Sequence, residues 1–271
     1  SISICVTVLN EEKSVGPLLH SLVSQSLTAS EIVIVDGGST DKTIEIINHY
    51  QKKHKSIRLL KEKCSRARGR NLSVELSENE IIAMTDAGCV ARNDWLEKIT
   101  APFAVPEVDI SAGFYNMVAT RVPSSAYKMT GGTPVQTAMT VFLGTAPDKF
   151  NVMFLPSTRS IAFRKKAWEI VGGFPDETKN SAEDTYFNYS ALKAGMKYAR
   201  VKSAVVEWGM PETIYDFYSK IFSYAKWDAR TKIWLFPKKG LASHNIKALF
   251  ILLRYFVGIT LIVLYFMFGT P

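Results

Sequence analysis

Ile32-Val33-Ile34-Val35-Asp36-Gly37-Gly38-Ser39-Thr40-Asp41-Lys42-Thr43 begins as an unbroken apolar run, turns polar at Asp36, and passes through small residues into an amphipathic stretch. An apolar run with no alternation predicts a strand buried on both faces, and residues 41–53 read as the helix that follows it. The same unit recurs on either side. Residues 2–9 read as a strand leading to a helix at 14–26, residues 57–61 as a strand leading to a helix at 65–76, and residues 81–85 as a short buried strand. Strands alternating with helices over short connections predict an α/β fold with a mostly parallel, Rossmann-like sheet flanked by helices. In such sheets ligands bind beyond the carboxyl ends of the strands. The polar residues there are Asn10-Glu11-Glu12, the Asp36–Thr43 turn, and Asp86-Ala87-Gly88. Taken alone, Asp41 caps a helix and Gly37-Gly38 permits a tight turn. Three such clusters at successive strand ends point instead to one site.

The bulk composition sets limits on the rest. With 271 residues the chain buries one large core, or one core plus an appendage. Lys and Arg number 33 against 25 Asp and Glu, a net charge of +8 that suits anionic partners such as diphosphates or phospholipid headgroups. Many of those positive charges lie between Lys52 and Arg70, where a solvated face explains the part before Lys63 equally well. Cys5, Cys64 and Cys89 form no CxxC pair, which counts against a disulfide framework or zinc site and fits a reducing cytosol. His20, His49, His54 and His244 show no metal-ligand spacing. The sequence opens on a strand pattern rather than a secretory signal.

The second half is less regular. Residues 130–147, rich in Gly, Thr and Pro, read as a loop over the site. Residues 160–163 read as a strand, 165–171 as a helix ended by Gly172-Gly173, and 182–194 as a helix stopped by Gly195. Residues 248–268 are apolar apart from Arg254, and a helix of that length rises roughly 30 Å, about a bilayer core. The expected organisation is a catalytic domain at 1–210, an amphipathic or interfacial segment at 211–245, and a transmembrane helix at 246–271. In the middle segment Ile214, Phe217, Tyr218, Ile221, Phe222 and Ala225 recur at helical spacing, followed by Trp227, Trp234 and Phe236. Lys238, Lys239 and Lys247 precede the apolar run, so the positive-inside rule places the first domain in the cytoplasm.

The polar residues suggest a chemistry. Asp36 can accept hydrogen bonds from a nucleobase or ribose, and Asp86 can hold Mg²⁺ or Mn²⁺, hard cations that prefer oxygen and bridge to phosphates. Arg66, Arg68 and Arg70 alternate and cannot share one helix face. Glu183-Asp184 opens a helix, where acidic residues favour the helix dipole; a carboxylate there can also serve as a general base. A nicotinamide-binding protein is excluded, because no GxGxxG follows the first strand. Asn10-Glu11-Glu12 also stands where a sugar-phosphate nucleotidyltransferase would carry a basic Gly-rich loop.

The chain resembles the family 2 glycosyltransferases, the large GT-A group of inverting enzymes. The resemblance rests on Thr7-Val8-Leu9-Asn10-Glu11-Glu12, Val35 through Thr43, Ala67-Arg68-Gly69-Arg70-Asn71, Thr85-Asp86-Ala87-Gly88-Cys89, Gly172-Gly173-Phe174 and Glu183-Asp184. These occur in the family's order across about residues 1–210. The resemblance implies a GT-A fold and transfer of a sugar from a nucleoside diphosphate donor, UDP-linked by family lean, in a single inverting displacement. Thr7, Asn10, Glu12, Gly38, Ser39 and Ala87 would line the donor pocket, with Asp36 reading the base and Arg66 and Arg70 near the diphosphate. Asp86 would be the metal ligand for Mn²⁺ or Mg²⁺. Asp184 would be the catalytic base, with Glu183 orienting it or the acceptor. Expected partners are the nucleotide-sugar donor, a lipid-linked or glycan acceptor, and the membrane, with no nucleic acid.

Two departures matter. Gly88 occupies the place of the second aspartate of the family's Asp-x-Asp motif, which weakens the expected metal dependence. The Gln-x-x-Arg-Trp signature of processive synthases is absent, with Lys226-Trp227-Asp228-Ala229-Arg230 a distant echo, so single addition is expected. The competing reading is a membrane-anchored, non-catalytic scaffold that keeps the fold, with Gly88 as its support.

Overall fold

The computed structural model describes residues 1–119, 133–143, 150–176, 182–211, 213–230 and 244–268. The chain divides into two units, Ser1–Phe217 and Tyr218–Pro271.

The first unit opens with β1 (Ile2–Val8), α1 (Val15–Val23), β2 (Glu31–Asp36), α2 (Thr43–Lys53), β3 (Ile57–Lys61), α3 (Arg66–Glu75) and β4 (Ile81–Met84). β2 is buried at every position, as its unbroken apolar run requires. β1 pairs in parallel with β2 and β4, and β2 with β3. The polar turns after β1, β2 and β4 therefore emerge at one edge of the sheet.

The chain continues through β5 (Cys89–Ala91), α4 (Trp95–Thr100), β6 (Ile110–Val118), α5 (Pro134–Leu143), β7 (Ile161–Arg164), α6 (Lys165–Val171), α7 (Glu183–Lys193) and β8 (Tyr198–Gly209). All eight strands form one sheet in the order β3-β2-β1-β4-β7-β6-β8-β5. β7 enters antiparallel between β4 and β6, and β5 lies antiparallel against β8, so the parallel alternation of the first half does not extend through the second. One reading from sequence is corrected here, and four elements were not foreseen. Residues 134–143 of the expected 130–147 loop form α5, while 130–132 and 144–147 lie outside the described residues. β5, α4, β6 and β8 carry no pattern that announces them: β8 mixes exposed and buried positions without alternation, and β5 is three residues long.

Alternation along β1 separates two apolar clusters. Ile4, Val6 and Val8 pack with Leu18, Leu19 and Leu22 of α1, while Cys5 packs with Val33 and Met84 in the cluster that includes Phe163, Phe174 and Phe187. Phe174 and Phe187 stack with ring centroids 4.7 Å apart. All three cysteines are free. Asn71 of α3 clamps the turn after α6. Its Oδ1 accepts from the Phe174 N–H at 2.8 Å, and its Nδ2 donates to the Phe174 carbonyl at 2.7 Å. Gly173, at φ +75°, lies so close to this clamp that a Cβ would come 2.8 Å from Asn71 Oδ1.

α8 (Ile214–Arg230) spans the division between the units, and α9 (His244–Phe268) follows in the second. Apart from Arg254 and Thr260, the side chains described in α9 are apolar, and most are exposed. Among the described residues no helix is long and apolar enough to cross a membrane. The transmembrane helix expected at 246–271 is therefore not borne out among the described residues. Trp234, Phe236, Lys238 and Lys239 lie outside the described residues.

Gly113 of β6 sits where a Cβ would fall 2.0 Å from Ser160 Oγ and 2.8 Å from the Ala204 carbonyl. Gly113→Ala is expected to destabilise the first unit by about 1–3 kcal/mol through overpacking, read as a lower urea midpoint. An unchanged midpoint would show that β6 and β8 yield freely at this contact.

Candidate active site

The turns after β1 and β2 are stitched to each other. The Asn10 N–H donates to Ser39 Oγ at 2.8 Å, and Asn10 Oδ1 accepts from the Thr40 N–H at 2.8 Å. The Glu11 N–H donates to Thr43 Oγ1 at 2.7 Å, and the Glu12 N–H donates to Asp41 Oδ2 at 3.1 Å. Glu12 Oε2 in turn accepts from the Lys42 N–H at 3.3 Å. Asn10 takes φ +53°, a conformation its short amide side chain tolerates. Asn10 and Glu12, expected in the pocket wall, thus bind the two loops together.

Asp36 is 1 % exposed at the end of β2. Its Oδ2 accepts the N–H groups of Gly38 and Ser39 at 3.1 and 3.0 Å, which fixes the carboxylate over the Gly-Gly turn. Its Oδ1 is buried and has no hydrogen-bond partner, and the same holds for Thr7 Oγ1 at the end of β1. A buried oxygen left without a donor costs free energy of the order of 1–3 kcal/mol, which a ligand donor would recover. Gly69 of α3 packs against this point, where a Cβ would meet Thr7 Cγ2 at 2.6 Å and Cys64 Sγ at 3.5 Å.

The central feature is Arg70. Its side chain is 3 % exposed, and Nη2 meets Asp86 Oδ1 at 2.6 Å while Nη1 bonds Glu183 Oε1. One guanidinium from α3 thereby draws together the acid after β4 and the acid that opens α7. Glu183 is delivered by a bend at Ala182, which holds φ +67°, a left-handed conformation that costs a residue with a Cβ roughly 1–2 kcal/mol. Asp184 follows in the same turn, its Oδ1 accepting the Thr185 N–H at 2.8 Å. Asn188 then ties α7 to the segment before β7, donating to the Pro156 carbonyl at 2.9 Å.

The two aspartates titrate in opposite directions. Burial pushes Asp86 up, but the charges of Arg70, Arg159 and Arg66 outweigh it and hold the carboxyl below the usual range. Burial and the adjacent Glu183 carboxylate push Asp184 above that range, against the pull of Arg70 and Arg159. Asp86 is thus held as an anion, while Asp184 has the stronger affinity for a proton that a general base needs.

Arg66 stands exposed at the first residue of α3. Ala87 packs, half-buried, against the core below α1, and Gly88 follows at φ +81° with open space where a Cβ would project. Sequence reasoning overlooked one residue of consequence, Arg159. Its guanidinium lies 3.8 Å from the centroid of the Trp208 ring and 5.2 Å from that of Tyr115, and Nη1 donates to Ser157 Oγ at 2.9 Å. Thr158 beside it donates to Asp86 Oδ2 at 3.4 Å.

Residues 3–171 match the family described as Glycosyl transferase family 2. The chain belongs to that family. It is 26 % identical over 198 residues to Glycosyltransferase AglE of Haloferax volcanii, covering 72 % of this chain and 62 % of that protein. It is 27 % identical over 199 residues to the poly(ribitol-phosphate) beta-N-acetylglucosaminyltransferase TarS of Staphylococcus aureus, covering 70 % of this chain and 32 % of TarS. The chain therefore spans less than two thirds of either relative. The mannosyltransferase PcManGT from Pyrobaculum calidifontis, solved with GDP-Man and Mn²⁺, matches with TM-score 0.62 at 19 % identity, over 89 % of this chain and 65 % of that one. S. aureus TarS 1–349 in complex with UDP matches with TM-score 0.61 at 20 % identity, over 84 % and 65 %. These likenesses show the fold, a mixed α/β GT-A-like architecture.

Removing the Arg70 guanidinium takes from buried Glu183 the cation that it pairs with. Arg70→Met in this glycosyltransferase domain is expected to cost about 3–5 kcal/mol of stability in chemical denaturation. A loss under about 1 kcal/mol would mean that the paired acids are solvated rather than clamped.

Proposed function

We propose that this family 2 domain transfers a sugar from a nucleoside diphosphate sugar to an acceptor hydroxyl with inversion. The observation that carries the reading is the Arg70 clamp, which brings Asp86 and the Glu183-Asp184 pair to the edge where Asp36 and Thr7 hold unpartnered buried oxygens. Asp36 Oδ1 is the acceptor for an N–H of the base, with Thr7 beside it in the pocket. Gly38 and Ser39 shape the turn under the nucleotide, and Ala87 its floor near the phosphates. A UDP-linked donor is the favoured one, supported by the UDP and UDP-GlcNAc complexes of TarS, although PcManGT holds GDP-Man.

The donor set suits a divalent cation shared with the substrate. Mg²⁺ and Mn²⁺ are commonly held by one or two carboxylates together with substrate phosphates, and Asp86, held anionic, provides one while Gly88 provides none. Bound there, such an ion would supply Lewis-acid stabilisation to the departing diphosphate. Asp184 accepts the proton of the acceptor hydroxyl as its oxygen attacks the anomeric carbon. Glu183 remains tied to Arg70 and fixes the turn that presents Asp184.

Asp184→Asn is expected to lower kcat by about 10²–10⁴-fold while leaving nucleotide affinity within a few-fold. Because the Asp184 pKa is raised, activity is present above that pKa and lost as pH falls through it. The acid limb of kcat/KM should therefore lie above the ordinary Asp value of about 3.9. A variant that turns over at the native rate would remove Asp184 from this role.

We also propose that the second unit attaches the protein to a membrane, with the first unit on the cytoplasmic face and the acceptor borne by a lipid. The support is the apolar surface of α9, where Leu252, Phe256, Ile259, Tyr265 and Phe266 are all more than half exposed, and the positive-inside bias of Lys238, Lys239 and Lys247. The protein should float with liposomes containing anionic lipid, and Leu261→Lys with Phe266→Lys should leave it in the soluble fraction. Equal flotation of both proteins would overturn the attachment through α9.

A further inference from the structure

We propose that Arg159 is a donor-binding residue that supplies fixed positive charge to the diphosphate beside Asp86. The inference rests on the glycosyltransferase reading above and adds a residue outside every motif that carried it. Three observations place the guanidinium. Cys89 is the register partner of Trp208, and the Gly209 N–H donates to the Gly88 carbonyl at 3.3 Å, so the end of β8 that carries Trp208 is held along the segment that follows Asp86. Arg159 lies over that ring at 3.8 Å and over Tyr115 at 5.2 Å, rings that themselves meet edge-on at 6.1 Å. Thr158 and Ser160, its neighbours, are both fixed: Thr158 to Asp86 Oδ2, and Ser160 between the Trp95 indole N–H at 3.0 Å and the Ala204 carbonyl at 3.2 Å.

An arginine stacked on aromatic faces keeps its hydrogen bonding in the guanidinium plane, the geometry that suits phosphate oxygens. Arg70 commits two of its nitrogens to Asp86 and Glu183 and holds those acids in place. Thr158, the residue before Arg159, donates to Asp86 Oδ2 at 3.4 Å, which sets Arg159 next to the reaction centre. A diphosphate beside Asp86 would meet the cation on the Trp208 shelf, one residue from the Thr158 hydroxyl that bonds Asp86.

The test is calorimetric titration of the intact protein with UDP, UMP, GDP and GMP, each in EDTA and in Mn²⁺. The variants are Arg159→Gln, Arg159→Met and Arg159→Lys. Both neutral variants are expected to lose at least about tenfold in affinity for the diphosphate that the protein binds, and under about threefold for the matching monophosphate. The loss should be larger in EDTA than in Mn²⁺, and the lysine variant should recover part of it. Arg159→Met retains apolar contact with Trp208 and carries the test if the glutamine variant does not fold. An equal loss for diphosphate and monophosphate, or none for either, would reduce Arg159 to a structural brace and overturn the inference alone. If the folded, unaltered protein binds none of the four nucleotides in either condition, the donor reading falls and the inference with it.

Discussion

The buried guanidinium of Arg70 is the interaction from which the site takes its form. It joins α3, which packs on the first parallel strands, to α7, which arrives more than a hundred residues later from the irregular half of the chain. A buried cation is stable only when paired, and so are the acids that meet it. Glu183 and Asp86 are therefore fixed relative to each other by a mutual electrostatic requirement that apolar packing could not impose, because packing has no sign. The strained turn at Ala182 is tolerable on the same ground, since relaxing it would withdraw Glu183 from its buried partner.

A second constraint operates at the nucleotide edge. There the N–H groups of Asn10, Glu11, Glu12, Thr40 and Lys42 are satisfied across the gap between two loops by Ser39, Thr43, Asp41, Asn10 and Glu12, while those of Gly38, Ser39 and Thr43 are satisfied within the second loop by Asp36 and Asp41. The result is a rigid rim beside one deliberate deficit, the inward oxygens of Asp36 and Thr7. A pocket built this way recognises a ligand by completing its own hydrogen bonds, and it penalises a ligand lacking the donor more than it rewards one that has it.

The first half of the fold was legible because β2 and β4 announce themselves as apolar runs and the polar residues at their carboxyl ends stand out against them. Asp36 and Asp86 fell to that rule directly. Asn10 and Glu12 were found by the same rule but with roles that sequence cannot separate, since a loop latch and a pocket wall use the same side chains. Arg159 escaped for a definite reason. β7 runs antiparallel to β4, with Ile161 opposite Met84, so its beginning rather than its end lies at the functional edge. A search beyond the carboxyl end of that strand leads to Arg164, which pairs with Glu80 at the opposite edge. Nothing in Ser157-Thr158-Arg159-Ser160 reveals strand direction, because direction is set by the neighbours with which the strand pairs. Trp208 and Tyr115 were hidden similarly, in strands whose mixed burial gives no period to read.

Charge explains why the two aspartates diverge. Asp86 has Arg70 in direct contact and Arg159 and Arg66 within electrostatic reach, a surplus of cations that holds it ionised. Asp184 shares its helical turn with Glu183, whose own charge is already matched to Arg70, so it receives the repulsion of one neighbour and only the remainder of the cations. In the proposed reading, a diphosphate bound among these arginines would draw on that remainder and raise the proton affinity of Asp184 further. The donor would then prime the base by its own charge, through the same arginines that would bind it. The physical basis is a shared set of cations: any anion placed among them competes with Asp184 for the same positive charge.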